Sequence, residues 1–170
     1  MELDFGTIAI GLFSVLACVL PFALDYRSRK NKENYLLQPL KKIAQQQNCQ
    51  ISEYEVGRNF VIGIDKAKNS VFFYKEEKEN AISKSIDLAT IQDCKVITSH
   101  KTMNHAKGSY KVVIKLELSF ISINQGKTEQ TWELYNADIS PQLNGEVQLT
   151  EKWSKLINKQ LNNSLVAEHV

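Results

Sequence analysis

Cysteine, proline and glycine are all scarce: three, three and seven in 170 residues. So few glycines and prolines exclude a collagen-like repeat and an array of flexible linkers. The cysteines, Cys18, Cys49 and Cys94, form no C-x-x-C pair, which removes the usual zinc and redox motifs. Also absent are G-x-S-x-G, the phosphate loop G-x-x-x-x-G-K-[ST], G-x-G-x-x-G and H-E-x-x-H. Carboxylates are scattered: Glu76, Glu77 and Glu79 read as a hydrophilic hairpin tip, and Asp65, Asp87 and Asp93 as strand ends where turns favour aspartate. His100 and His105 lie in SHKTMNHAKGSY, but no carboxylate occurs between Cys94 and Leu116 to complete a metal site, so the segment reads as a solvated loop. No catalytic residue, metal ligand or cofactor is assigned, and an enzyme is not expected.

What is present first is a twenty-residue run without a charge, Phe5 to Leu24. As a helix it measures about 30 Å, the thickness of a bilayer's hydrocarbon core. The run predicts a single transmembrane helix. A cleaved signal peptide would need a basic start, whereas Glu2 and Asp4 precede the run, and Asp25-Tyr26-Arg27 is a poor cleavage site. Val15-Leu16-Ala17-Cys18 faintly resembles a lipoprotein box, which leaves an exported lipoprotein-like domain as an alternative. The basic residues after the run place the remainder on the inner side. The expectation is a single-pass cell-membrane protein, amino terminus outside and carboxy-terminal domain cytoplasmic. Cys49 and Cys94 are then reduced core residues.

The formal charge of +2 is unevenly spread. Between Tyr26 and Gln47 lie Arg27, Arg29, Lys30, Lys32, Lys41 and Lys42 against the single acid Glu33. From Asn48 onward, fifteen basic residues balance fifteen acidic ones. The six basic residues are the candidate membrane-proximal site, able to meet anionic headgroups at about 1 kcal/mol each. A neutral domain without a basic stripe speaks against nucleic acid as a partner.

After the run, Leu36, Leu37, Leu40, Ile43 and Ala44 recur at helical spacing, predicting a linking helix over residues 34–47, with Asn31 or Asn34 as its cap and Pro39 as a kink or its true start. Seven strands are then expected: 51–56, 60–65, 70–74, 84–88, 94–98, 110–121 and 129–136. In the sixth, Tyr110, Val112, Ile114, Leu116, Leu118 and Phe120 alternate with a mostly polar face, the pattern of a half-buried antiparallel strand. Val147, Leu149, Trp153, Leu156, Ile157 and Leu161 trace one stripe of a closing helix, with Asn144 a candidate cap. Asn163 to Val170 reads as a frayed tail.

Seven short strands, a long sixth one, and a final amphipathic helix with Trp153 at its centre resemble the pleckstrin-homology (PH)-like barrel over residues 51–162. Small bacterial membrane-anchored proteins with such a domain look similar. The resemblance implies an α+β chain: a transmembrane helix, a linking helix, then a seven-stranded antiparallel barrel closed by the carboxy-terminal helix. An α+β domain of another topology is the alternative. The divisions are 1–25 anchor, 26–48 basic segment and linking helix, 49–163 β domain, and 164–170 tail. The phosphoinositide site known in such domains does not carry over: the first loop, Val56-Gly57-Arg58-Asn59, holds one Arg, and Glu76-Glu77-Lys78-Glu79-Asn80 is acidic. Two functions follow as expectations. One is protein–protein interaction or scaffolding at the membrane, through a sheet edge or the face of helix 34–47, with an unidentified protein partner. The other is recognition of anionic lipid through the six basic residues.

Overall fold

The computed structural model describes residues 5–77, 80–105, 108–123 and 128–167, with side chains at fewer positions. The chain begins with one helix, α1 (Phe5–Gln46), followed by strands β1 (Glu53–Val56), β2 (Phe60–Asp65), β3 (Ser70–Glu77) and β4 (Asn80–Asp87). A 3-10 turn over Leu88–Thr90 leads into β5 (Ile91–His105), β6 (Gly108–Ser122) and β7 (Thr128–Asn136), and helix α2 (Glu146–Ala167) follows. The strands form two antiparallel sheets, β1-β2-β3-β4 and β5-β6-β7.

The central strands of the first sheet, β2 and β3, are buried on both faces, and their sequence shows why. In β2 and β3, residues of both parities are apolar. Phe60, Ile62, Ile64, Val71 and Phe73 point into the core between the sheets, while Val61 and Phe72 join a second cluster with Leu36, Leu37, Leu40 and Ala44 of α1. A strand covered on both sides needs no polar alternation. Gly63 is the socket for this docking: a Cβ there would come within 2.9 Å of Leu40 Cδ2 and 3.0 Å of Ile51 Cγ2. Asn48 ends the helix in the left-handed region (φ 56), and the Cys49 N–H donates back to the Ala44 carbonyl at 2.8 Å. The buried Asp65 carboxylate then ties this corner together, accepting from the backbone N–H groups of Gln50 (2.7 Å), Ala67 (3.0 Å) and Lys68 (3.0 Å).

The main core stacks Trp132 of β7 on Phe73 of β3 and tilts it against Phe120 of β6, with ring centroids 5.4 and 4.5 Å apart. Trp153 of α2 is fully buried in the same cluster, and its Nε1 donates to Glu55 of β1. Cys94 belongs to this core and Cys49 to the α1 cluster, so the two free thiols are in separate layers.

The expected fold class is corrected in two respects. The strands do not close into one seven-stranded barrel. Among the described residues no ladder joins the sheets, and where β4 approaches β7 the hydrogen bonds are side chain to backbone: Lys84 Nζ donates to the Thr131 carbonyl (2.7 Å) and Gln130 Nε2 to the Ser85 carbonyl (3.3 Å). The transmembrane helix is the second correction. Among the described residues no helix is long and apolar enough to cross a membrane. The described part of α1 beyond the expected span is too charged to cross one, since its side chains include Arg27, Lys30, Lys32, Glu33, Lys41 and Lys42. Of the expected span, only Cys18, Val19 and Leu20 have described side chains; the remainder of Phe5–Leu24 lies outside the described residues at side-chain level. The single-pass, cell-membrane placement with a cytoplasmic domain rested on that span and falls with it.

The linking helix is not a separate element either. The 42-residue α1 measures about 63 Å and passes through Pro21, Asn31, Asn34 and Pro39 without ending. The expected boundary at residues 25–26 therefore falls inside a helix. At the other end α2 continues to Ala167, four residues into the expected tail.

Candidate functional site

The six basic residues expected to act together all lie on α1, spread from residue 27 to residue 42. Arg27, Lys30, Lys41 and Lys42 are exposed along α1, and the Arg29 side chain lies outside the described residues. Lys32 faces a different neighbourhood, lining an open cleft with Arg58 of the β1–β2 turn and Lys152 of α2. That cleft is internally neutralised. Lys152 pairs with Glu55 at 2.6 Å, and Arg58 lies 3.8 Å from Glu146, whose carboxylate also accepts the Asn144 N–H. The face of helix 34–47, one of the two expected docking surfaces, is used up: Leu36, Leu37, Leu40 and Ala44 are buried against the first sheet.

A second polar region fills the gap between the sheets. Lys75 follows Phe73 on the inner face of β3, where the apolar core gives way. It is 3% exposed, and its Nζ donates to Glu133 of β7 (2.7 Å) and pairs with Glu77 (2.9 Å). Lys115 pairs with Glu117 at 2.7 Å and reaches the other Glu133 oxygen at 3.4 Å. Burial alone would raise the Glu133 carboxyl, but hydrogen bonds and charge from Lys75 and then Lys115 outweigh it and hold Glu133 below its ordinary value. Glu117 and Glu133 are cross-strand partners, so the lysines also hold two like charges on neighbouring strands. The cleft over this network measures about 440 Å³ and is lined by Lys84, Thr131 and Ile139 as well. Lys75, Lys115, Glu77, Glu117 and Glu133 each have a partner of opposite sign, and Lys84 donates to the Thr131 carbonyl, which is the pattern of a structural seam between two sheets.

The remaining candidate, a sheet edge, lies partly where a loop was expected, at residues 99–109, and partly in the expected sixth strand. SHKTMNH is the second half of β5, and GSY opens β6. The two strands pair from Ile91/Ser122 to His105/Gly108, whereas β7 pairs with β6 only from Lys115 to Ile121. The hairpin therefore runs beyond β7 as a two-stranded arm, Ser99–His105 with Gly108–Ile114. The last contact on the β7 side is the Ala137 N–H to the Ile114 carbonyl (2.9 Å), and no described strand pairs with residues 108–113 there. Burial follows the pairing. Leu116, Leu118 and Phe120 are fully buried, while Tyr110 in the same alternation is 53% exposed. Met103, its cross-strand partner, is 44% exposed, and the neighbouring pair is Lys101 with Val112.

Some other strand edges are met by side chains. On the outer edge of β5, the Cys94 N–H donates to Asn158 Oδ1 (2.9 Å), and its carbonyl accepts from Ser154 Oγ (2.7 Å) and Asn158 Nδ2 (2.9 Å), all from α2. Burial first, with Asp93 adding to it, pushes the Cys94 thiol up to about 12, so this cysteine is an inert core group. The β7 and β4 edges are met by Lys84 and Gln130 as described above.

The arm also holds the expected histidine pair, without a metal site. His100 is exposed, the His105 side chain lies outside the described residues, and no metal-binding group of His, Cys, Asp and Glu occurs among the described residues. The β5 half of the arm was missed because SHKTMNH is polar and has no apolar period. The available signal was the absence of acids over Cys94–Leu116. No family model matches the chain, and neither a curated protein nor a solved structure matches it.

Proposed function

We propose that this chain is a polypeptide-binding module and that the β5–β6 arm is its contact surface. The observation carrying this reading is that the arm extends past β7 with an unpaired β6 edge and with Met103 and Tyr110 exposed across from one another. A strand edge of this kind offers a partner main-chain hydrogen bonds for affinity and alternate side-chain positions for specificity. An exposed Tyr supplies a large, stiff contact at low entropic cost. The PH-like relationship, proposed on strand order and Trp153, is in keeping with this reading, since a β scaffold of that kind hosts unrelated binding functions at different edges and loops. The test is site-specific photocrosslinking in the full chain in its cell of origin. A photoreactive residue at Tyr110 is expected to trap a discrete protein partner, and the M103S/Y110S variant to abolish capture from a probe at Ser109. Equal capture from a control probe at Lys155 of α2 contradicts the reading.

A further inference from the structure

Resting on that reading, we infer the chemistry of the partner: an extended, acidic polypeptide segment that adds as a strand to the β6 edge of the arm. The charge of the arm selects it. Between Asp93 and Glu117 the sequence holds Lys95, Lys101, Lys107, Lys111 and Lys115 with His100 and His105, and no carboxylate. Lys95 and Lys115 are committed to Asp93 and Glu117 at the base. Lys101 and Lys111, farther out, form no ion pair among the described residues. Several other lysines are neutralised locally, as at Lys66–Glu53, Lys75–Glu133 and Lys152–Glu55. On the arm, Lys101 and Lys111 stand beside an open strand edge without such a partner among the described residues.

The register gives the incoming strand a pattern. Cross-strand pairs share a face, so Tyr110, Met103, Val112 and Lys101 lie on one side of the ribbon, and Lys111 with Thr102 on the other. An added strand places successive side chains on opposite faces. Those beside Tyr110 and Val112 meet an apolar surface, and those beside Lys111 meet a cation. Alternating apolar and acidic residues fit this edge, over the roughly six positions from Gly108 to the Ala137–Ile114 bond that ends it. A single-stranded nucleic acid would use the same lysines and Tyr110, but would leave the backbone N–H and C=O groups of the edge to water. The open ladder is what favours polypeptide.

The experiment uses the full chain and a fluorescein-labelled hexapeptide of alternating Glu and Val, read by anisotropy and by amide exchange at residues 108–113. The expected results are salt-sensitive binding, protection of those amides, and at least about tenfold weaker binding for the K101E/K111E variant, since two exposed attractions become repulsions. The same peptide N-methylated at alternate residues keeps its charge but loses strand donors, and is expected to bind at least about tenfold more weakly. Equal binding of the N-methylated peptide, or full competition by an oligothymidine of matched charge, overturns strand addition. If an alternating Lys/Val or Ser/Val peptide protects 108–113 and the Glu/Val peptide does not, the acidic partner is wrong while the arm remains a peptide site. If none of the peptides protects these amides, the arm reading itself fails.

Discussion

The two sheets are built from the same kind of antiparallel strand and are used differently. The β1–β4 sheet spends both faces on packing: α1 covers one, the inter-sheet core the other, and all six residues of β2 are buried. The β5–β7 sheet commits its inner face to the core and then outruns it, so that β6 passes from fully buried Phe120 to exposed Tyr110 within one strand. Strands covered on both faces, such as β2 and β3, have no surface left for a partner. A sheet that outgrows its core has an edge and a face to offer, and the lysine-rich half of the hairpin lies there.

The comparison can be broken most severely where the sheets meet. Trp132→Ala removes the ring that stacks on Phe73 and Phe120, and is expected to cost about 3–5 kcal/mol, read as a lowered urea midpoint. Leu40→Ala uncovers the outer face of the first sheet alone. A loss of about 2–5 kcal/mol is expected by the same measurement, with faster amide exchange in β2 and β3. A loss under about 0.5 kcal/mol there would show that α1 is not part of the fold unit.

Asp65→Ala orphans the N–H groups of Gln50, Ala67 and Lys68, and about 1.5–3 kcal/mol is expected to be lost, with Asp65→Asn recovering part of it. Glu133→Gln tests the seam. Because the folded protein holds Glu133 below its ordinary value of 4.5, its contribution is present above that pH and disappears as the pH falls through the lowered value. The acid limb of the stability curve is therefore expected to be shallower in Glu133→Gln than in the parent chain. An unchanged slope would remove the Lys75–Glu133 pair from the stability of the seam. The smallest effect is on the arm: Tyr110→Ser is expected to leave the urea midpoint within about 0.5 kcal/mol while abolishing partner capture.

These contrasts also mark how far the residues alone could be read. Period and turn chemistry located the strands, because local alternation and residues such as Asp65 and Asp87 act locally; Asp87 does cap the 3-10 turn through the Ala89 N–H. Where a strand ends depends on its partner. SHKTMNH has no apolar period, and pairs only because β6 lies opposite. Equally, the alternation from Tyr110 to Phe120 is uniform in sequence, although burial stops at Leu116, since nothing local records that β7 begins pairing at Lys115. Pro39 suggested a helix start, yet the burial of Leu36, Leu37 and Leu40 around it holds the helix through the missing hydrogen bond. Nothing local marks Lys75 as buried, since its charge is met by a carboxylate 58 positions away.

Amide exchange on the full chain, resolved by residue, separates the two sheets most directly. Residues 61–64 and 71–73 are expected to exchange through global unfolding alone. Within 108–113, the amides facing the missing β7 position are expected to exchange orders of magnitude faster, though still within a folded hairpin. Slow exchange of every amide in 108–113 in the isolated chain would mean that the edge is already covered, and would contradict a free arm.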